Sequence, residues 1–386
     1  MTEGGADLRE VLREWGRLGV IGFGGPLAHV ALLRELCVER RRWLDAEEFE
    51  DANAACQLLP GPASTQLAIY CAHRVAGLPG ALVGGLAFIL PGLVMLIALA
   101  ALTLGSSPPR WALGLAAGAG AAILAVILRV GIDLAQASLA PRSGLRRLRA
   151  IAYLALGAAT VVFAGPGVVL ALLACGAVET LIRRGMPSSL PSVALPQAAA
   201  LLAAASAGVA ALPALAWTAL KVGALSYGGG FVIVPIMQGD AVDLHHWMTD
   251  TQFLNAVALG QITPGPVVQT VAAVGWAAAG LGGALLAAAI AFAPSFLVIA
   301  IGGARFHALR ENATARAFLD GAGPAAIGAI LGTVVPLASG VSEGWQWGVA
   351  AIAAVLLLAA RRSVVPVLLA AGAAGIIAGV TQLPLP

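Results

Sequence analysis

Long apolar runs, interrupted by glycine, proline and short charged clusters, follow one another along most of this chain. Several of them reach the roughly 17 to 25 residues that a helix needs to cross a bilayer. Alternating in-out patterning is absent, so helices rather than barrel strands are expected to span the membrane. The candidate spans are 15–33, 53–76, 79–104, 111–132, 150–164, 167–182, 197–212, 215–237, 255–278, 280–303, 319–338, 345–360 and 364–381. The pattern predicts an all-α, polytopic membrane protein with about 10 to 14 membrane segments.

Composition indicates the same class of protein. Hydrophobic residues make up 60% of the 386 residues and charged residues only 11%, whereas a soluble domain carries about 25% charged residues. The lipid bilayer is therefore the expected surrounding, and the net charge of +3 gives no reason to expect a nucleic acid partner. Residues 1–14 are charged and amphipathic, unlike a cleaved signal peptide. We expect the N-terminus to be cytoplasmic.

One unusual segment occurs twice, with equivalent residues such as Gln57 and Gln261 separated by 204 positions. The first copy contains Gly22-Phe23-Gly24-Gly25-Pro26 and Gln57-Leu58-Leu59-Pro60-Gly61-Pro62. The second copy contains Ser226-Tyr227-Gly228-Gly229-Gly230 and Gln261-Ile262-Thr263-Pro264-Gly265-Pro266. Gene duplication is the simplest explanation. It predicts a first repeat over 1–190, a linker span over 191–212 and a second repeat over 213–386.

The loop charge is inverted between the two copies. Residues 34–51 carry Arg34, Arg40, Arg41 and Arg42, whereas residues 238–255 have no Lys or Arg and contain Asp240, Asp243 and Asp250. Short arginine-rich loops stay in the cytoplasm, so the two loops should lie on opposite sides of the membrane. An odd number of candidate spans between equivalent points also inverts the orientation. The sequence therefore predicts two inverted-topology repeats, which build many secondary transporters.

Each copy has two places where a helix should break or re-enter within the membrane. The Gly-rich segment and the Pro-Gly-Pro segment both interrupt apolar runs, at a cost of about 1 kcal/mol per glycine and about 3 kcal/mol per proline in a helix. Such breaks survive where protein or a water-filled cavity meets the freed backbone groups. The alternative is that the glycines only allow close helix packing and the prolines only bend the helices.

A helix that begins inside the membrane points unpaired amides and about half a positive charge into a cavity. Two breaks in each of two copies add up to about +2, which suits a doubly charged anion and avoids fixed cations at the bilayer centre. The candidate substrate-binding residues are these breaks and their polar neighbours: Gly24, Gly25, Pro26, His29, Gln57, Pro60, Gly61, Pro62, Ser64, Gln66, Lys221, Gly228, Gly229, Gly230, Gln261, Thr263, Pro264, Gly265, Pro266 and Gln269.

Two of these residues have equal alternatives. His29 could respond to protons or donate to the substrate, or it could be a hydrogen-bonded packing residue. Lys221 could attract an anion near the second Gly-rich break, or its ammonium could reach back to the membrane interface. The four cysteines have no close metal-ligand spacing, and we expect no metal or organic cofactor. The chain also lacks His-Glu-x-x-His and a nucleotide fingerprint, which argues against an enzyme.

These segments resemble the chromate ion transporter family. The matching text in the first copy is Phe23-Gly24-Gly25-Pro26 with His29, Leu32-Leu33-Arg34-Glu35, Glu39-Arg40-Arg41-Arg42-Trp43-Leu44, Gln57-Leu58-Leu59-Pro60-Gly61-Pro62-Ala63-Ser64, Gln66-Leu67-Ala68, Ala76-Gly77 and Phe88-Ile89-Leu90-Pro91-Gly92. The second copy matches through Gly228-Gly229-Gly230, Trp247 and Thr263-Pro264-Gly265-Pro266. It has Gly230 in place of Pro26 and Val268 in place of Ser64, so the two copies need not contribute equally to a site.

The resemblance implies a long-chain, two-domain bacterial member that exports chromate across the inner membrane and lowers cytoplasmic chromate. The membrane potential or the proton gradient would drive it. Sulfate has the same tetrahedral shape and charge, so a transporter or importer of sulfate or another oxyanion is one alternative. An uncoupled anion channel is another, and the sequence leaves open whether the protein forms a homodimer.

Overall fold

The structure of the protein is a computed structural model, which describes residues 7–59, 61–105, 107–164, 167–184, 211–226, 230–302 and 313–385. Within these ranges the chain forms helices and no strand, as the sequence predicts. The helices of the first half are α1 (Leu8–Ile21), α2 (Gly25–Arg34), α3 (Ala46–Leu58), α4 (Ala63–Leu104), α5 (Arg110–Leu139), α6 (Gly144–Ala164) and α7 (Val168–Arg184). The predicted linker span, 191–212, lies outside the described residues except for its last two positions.

The second half continues with α8 (Ala211–Leu225), α9 (Ile233–Gln238), α10 (Asp250–Ile262), α11 (Val271–Gly302), α12 (Ala313–Gly332), α13 (Val334–Ala338), α14 (Gly344–Ala354) and α15 (Val364–Val380). Three π-helical segments extend α2 (Glu35–Arg40), α9 (Gly239–Leu244) and α14 (Val355–Ala359), and a 3-10 turn (Val267–Thr270) precedes α11.

Five helical stretches of the described chain are long and apolar enough to cross a membrane. They are Ala63–Leu104, Arg110–Leu139, Gly144–Ala164, Val267–Ile301 and Ala313–Ala338. Shorter apolar helices lie at Ala211–Leu225, Gly344–Ala359 and Val364–Val380. The predicted all-α, polytopic membrane fold is therefore confirmed, whereas the number of 10 to 14 segments stays a prediction.

Helices α1 and α2 form a hairpin whose tip is the Gly-rich break. Arg41, just after the π-helical end of α2, pairs with Glu10 at 2.8 Å and with Glu14 at 2.5 Å on α1. The beginning of α1 and the end of α2 therefore lie side by side, and the two arms run antiparallel. The interpretation of 15–33 as a single crossing is wrong. The chain turns back at the break, and the acidic residues of α1 pair with Arg41 at the other end of the hairpin.

Helix α3 and the first arm of α4 form a second hairpin, with Gly61 and Pro62 of the Pro-Gly-Pro segment at its tip. Glu48, in the first turn of α3, accepts a hydrogen bond from the Tyr70 hydroxyl at 3.3 Å and pairs with Arg74. Both ends of this hairpin consequently lie on one side of the bundle. The run 53–76 is re-entrant, so its interpretation as a complete crossing is also wrong.

Helix α4 bends back sharply after this arm. Gly77 has a φ of +63°, and a Cβ atom on Gly84 would lie only 2.4 Å from the Ala72 Cβ. Helix α11 makes the same turn at Gly280, where φ is +60°. Glycine is needed because other residues rarely adopt this left-handed conformation. The segments after the turns, 78–104 and 281–302, are the arms long enough to cross the membrane.

Backbone geometry repeats at the same interval as the sequence. The π-helical segments Glu35–Arg40 and Gly239–Leu244 occupy equivalent positions. The left-handed residue Arg42 is likewise equivalent to His246, and Gly61 to Gly265. The duplication thus extends to the fold of the hairpins. The inverted orientation of the copies and the domain boundaries 1–190, 191–212 and 213–386 stay predictions.

The two halves exchange helices. Helix α5 packs along α14 and α15 of the second half, while α12 packs against α6 and α7 of the first. A Cβ atom on Gly114 would lie 2.1 Å from the Gly375 carbonyl oxygen, and one on Gly157 would lie 1.9 Å from that of Ala325. Small residues permit such close backbone contact between membrane helices. The halves therefore form one interlocked bundle, within which the hairpin tips meet.

Candidate functional site

The hairpin tips of the two copies contact each other inside the bundle. The Gly265 amide donates to the Gly22 carbonyl oxygen at 2.9 Å, so the second Pro-Gly-Pro tip rests on the first Gly-rich break. A Cβ on Gly92 would lie 1.8 Å from the Pro264 carbonyl oxygen, and one on Gly61 would lie 3.3 Å from the Ser295 Oγ. Ser295 is the equivalent of Gly92 in the second copy. Each Pro-Gly-Pro tip therefore reaches the same position of the opposite copy.

A cavity of about 310 Å³ lies beside these tips, at the small end of the range for ligand pockets. We call it the central cavity. Seven predicted site residues line it: Gly24, Gly25, Pro26, Gln57, Gly61, Ser64 and Gln261. Its other walls are Leu27, Val30, Asn53, Cys56, Ala63, Val126, Val130, Leu134, Phe231, Val364 and Val365. Among the described residues, no acidic or basic side chain lines this cavity.

Three helices begin at the central cavity without a side-chain cap, and one of them is α15, which starts at Val364. Helix α2 starts at Gly25 after Gly24, whose φ is +101°, and α4 starts at Ala63 after Pro62. Gly61, with a φ of +119°, makes the turn before α4. Because the first amides of a helix lack intrahelical acceptors, each start offers donors and about half a positive charge. Together they favour an anion in the cavity.

His29 joins the two hairpins behind the cavity instead of lining it. Its ring is buried, with Nε2 2.9 Å from the Gly22 carbonyl oxygen and Nδ1 3.2 Å from the Ser64 Oγ. A carbonyl oxygen can only accept, so Nε2 carries a proton and donates to Gly22, and in the neutral ring Nδ1 accepts from the Ser64 hydroxyl. The ring also meets the edge of Phe88 at 5.0 Å between centroids. These contacts are those expected of a hydrogen-bonded packing residue, which is the second of the two alternatives for His29.

The two cavity glutamines differ in how their amides are satisfied. Gln57 Nε2 is within 3.4 Å of the Asn53 Oδ1. Gln261 Nε2 is buried and has no hydrogen-bond partner among the described residues. A buried donor left without an acceptor costs about 1 to 3 kcal/mol, so Gln261 is the clearest place for an acceptor-only ligand.

Most predicted residues of the second copy do not line the central cavity. Gln269 Nε2 donates to the Thr263 Oγ1 at 2.8 Å and to the Pro264 carbonyl oxygen at 3.0 Å. Pro266 precedes the 3-10 turn, and a Cβ atom added to Gly230, whose φ is +88°, would lie 3.1 Å from the Val267 Cβ. Gln66 of the first copy is buried next to Gly61. Pro60, Gly228 and Gly229 lie outside the described residues.

Lys221 forms a buried ion pair. Its Nζ is 2.5 Å from the Asp240 Oδ2, and the same oxygen accepts from the Thr218 hydroxyl at 2.7 Å. The Lys221 side chain is 15% exposed and that of Asp240 is 3% exposed. The Lys221 ammonium neither faces an anion site nor reaches the membrane interface. It binds the internal carboxylate of Asp240 instead. The pair joins α8 to the π-helical segment after α9.

Asp240→Asn should destabilise the protein by about 3 to 5 kcal/mol, because it leaves the Lys221 ammonium buried without a counter-charge. The double variant Lys221→Met with Asp240→Leu should recover most of this loss, since it removes both charges together. Thermal unfolding of the detergent-purified proteins measures both effects. Equal unfolding temperatures for the native protein and Asp240→Asn would contradict the ion pair.

Sequence reasoning missed the apolar wall of the central cavity and Asn53. Val126, Val130 and Leu134 follow one another at four-residue spacing on α5, and this helical period could have shown that they share a face. Asn53 lies one turn before Gln57 and could have been found in the same way. Val364 and Val365, by contrast, come from the start of α15 and carry no local signal.

Long apolar helices, re-entrant hairpins and a cavity at the hairpin tips define a multi-pass membrane protein of the transporter class. The chain belongs to the chromate transporter family, whose profile matches residues 9–211 and 213–376. It is similar to a protein of Cupriavidus metallidurans named a chromate transport protein, with 33% identity over 98% of this chain and 94% of that one.

A chromate transport protein of Pseudomonas aeruginosa is 32% identical over 93% of this chain and 89% of its own length. A probable chromate transport protein of Synechococcus elongatus is also 32% identical, over 86% of this chain and 84% of its own. No solved structure matches the chain. The recognition of the family from the motifs is therefore confirmed.

Proposed function

We propose that this protein carries chromate, a tetrahedral dianion, out of the bacterial cytoplasm across the inner membrane and thereby confers chromate resistance. The anion binds in the central cavity, between the starts of α2 and α4 and the side-chain amides of Gln57 and Gln261. The names of the relatives in Cupriavidus metallidurans and Pseudomonas aeruginosa support the choice of substrate.

One observation carries the proposal: the buried Nε2 of Gln261 has no partner among the described residues and lies at a cavity lined by no charged side chain among them. Buried polar groups in proteins nearly always have hydrogen-bond partners, and one without a partner marks a place for a ligand or water. An oxyanion offers only acceptors and so complements this amide and the uncapped helix starts.

The membrane potential supports the outward direction. Moving one charge across 100 mV is worth about 2.3 kcal/mol, and a dianion gains about twice that when it leaves a negative interior. Arg40, Arg41 and Arg42 lie at the base of the first hairpins, and by the positive-inside rule they support a cytoplasmic position of that base and of the N-terminus. Transport then proceeds by alternating access, with the hairpins moving against the long crossing arms.

Sulfate is the chief competitor of chromate because of the groups that line the central cavity. Backbone and side-chain amides recognise charge and tetrahedral shape, which sulfate shares with chromate. The site therefore binds both anions, and the difference between them lies in affinity. Competition between the two is part of the test.

Everted inner-membrane vesicles that contain the protein should accumulate radiolabelled chromate with saturable kinetics when they are energised. Their cytoplasmic face is outward, so export in the cell becomes uptake in the vesicle. Vesicles without the protein should show background levels, and right-side-out vesicles should show no concentrative uptake. Unlabelled sulfate should compete with chromate.

Other results in these vesicles would distinguish an importer, a channel and a protein that transports neither anion. Concentrative uptake only by right-side-out vesicles would make the protein an importer. Flux that neither saturates nor responds to the membrane potential or to a pH gradient would make it an uncoupled channel. No uptake of either anion by vesicles in which the protein is present and folded would end the proposal.

A further inference from the structure

A second, larger cavity of about 620 Å³ lies at the ends of α5, α6, α7 and α12. Arg142, Arg146, Arg183, Arg316 and Asp320 are among its lining residues, and we call it the arginine vestibule. Gln57 and Leu134 line both this cavity and the central cavity. The two cavities are therefore neighbours, with Gln57 at their junction.

The arginines of the vestibule come from four separate elements. They lie in the turn after α5, at the start of α6, at the end of α7 and at the start of α12. The sequence shows no relation between them, because α12 is more than 100 residues away from the others. Their convergence on one cavity is a product of the exchanged packing of α12 against α6 and α7.

The vestibule is positively charged overall. Four arginines against one aspartate leave an excess of three positive charges among its described lining residues. Asp320 binds both Arg142, at 2.9 Å, and Arg183, at 2.7 Å. Glu179, which also binds Arg183, and Arg149 beside it add one charge of each sign. The excess is therefore unchanged when this neighbouring pair is included.

Pairing with Asp320 does not account for all of these arginines. Arg146 lines the vestibule, and its side chain makes no hydrogen bond or ion pair with another described residue. Arg142 is held in place by Asp320 and by the Ser138 carbonyl oxygen, which accepts at 2.5 Å. The vestibule thus combines arginines fixed by internal partners with one whose guanidinium is free to meet a ligand.

We propose that the arginine vestibule is a capture site for the oxyanion, which it concentrates next to the central cavity and delivers past Gln57. This inference rests on the proposed function. A cleft lined by charge of one sign raises the local concentration of the opposite ion and its rate of association. Guanidinium groups suit the task because their planar forks match oxyanions, and the vestibule's exposure keeps the binding weak enough for release.

Substitution of Arg146 tests the capture site, with its neighbour as the matched control. Arg146→Gln and Arg316→Gln should each raise the KM for chromate uptake into everted vesicles by roughly threefold to tenfold, with little change in kcat. Added salt should depress the native rate more than that of the variants, since screening acts on the steering charges. Arg147→Gln, on the same helix but not lining the vestibule, should behave like the native protein.

The outcomes distinguish the vestibule from the transport function. Native kinetics and native salt dependence in both variants would overturn the capture site while leaving the proposed function intact. A native protein that transports neither chromate nor sulfate would remove both proposals. A KM effect that disappears in reconstituted vesicles of purely zwitterionic lipid would show that the arginines bind anionic lipid headgroups instead, which also overturns the capture site.

Discussion

Gly25→Leu is expected to abolish chromate transport without preventing membrane insertion. Gly25 is the first residue of α2 and lines the central cavity. A Cβ atom built on it meets no atom within 4 Å, so the new side chain would enter open space at the proposed anion position. Chromate accumulation in resistant cells and uptake into everted vesicles both measure the loss, with insertion checked in the membrane fraction.

Gly280→Leu is the matched control for this result. Gly25 and Gly280 have φ values of +74° and +60°, and neither has a neighbour within 4 Å of an added Cβ. Both variants therefore place a leucine at a positive φ, where its backbone is strained, but only Gly25 lines the central cavity. Equal loss of transport in the two variants would assign the effect to strain. Unchanged transport by a well-inserted Gly25→Leu protein would remove the central cavity from the mechanism.

Gln261→Leu is expected to weaken chromate binding strongly while the protein remains as stable as before. A hydrogen bond to a charged group contributes about 1.5 to 3 kcal/mol, which corresponds to a rise in KM of roughly 10-fold to 100-fold. Since the buried Nε2 has no partner among the described residues, its removal breaks no internal bond. Transport kinetics and thermal unfolding of the same purified variant give both measurements.

Gln269→Leu should show the reverse pattern. Its Nε2 donates to the Thr263 Oγ1 and to the Pro264 carbonyl oxygen, so the substitution leaves buried acceptors unpaired and loosens the second Pro-Gly-Pro tip. We expect the free energy of unfolding to fall by about 1 to 3 kcal/mol, which appears as a lower unfolding temperature. If Gln261→Leu kept the native KM, or lost as much stability as Gln269→Leu, the anion site would not include Gln261.

The positions of the helix breaks could be predicted, but the path of the chain through them could not. Glycine and proline at 22–26 and 59–62 interrupt the helices there, because both residues are unfavourable within a helix. Whether the next arm continues or folds back depends on contacts such as Arg41 with Glu14, 27 residues away. Apolar periodicity carries no information about such a contact. It therefore predicts helix breaks at these places but still gives 15–33 and 53–76 as crossings.

The two copies are predicted to have opposite orientations whether or not the hairpins cross the membrane. By the repeat, 215–237 is equivalent to the run 15–33, which is not a single crossing. Removing it together with 53–76 takes away two crossings between equivalent points, so the total stays odd. The parity then depends on the run 197–212, most of which lies outside the described residues.

The candidate site was likewise predictable from the sequence only in part. Duplication made the residues of the two copies look equivalent, yet the central cavity takes Gly25, Gly61 and Ser64 from the first copy and Gln261 from the second. The second tip is instead occupied by contact with Gly22. Gln261 and Gln269 carry the same functional group, and only their surroundings separate a free donor from one already bound.

The sequence by itself determined the membrane class, the duplication, the places where helices stop and the family, because these depend on composition, local backbone preference and residue order. Only the tertiary structure decided that the breaks are hairpin tips, that the halves exchange helices, and that arginines from distant segments share one vestibule. These features arise from contacts between residues far apart in the chain, where the free energy of packing and ion pairing depends on the whole fold.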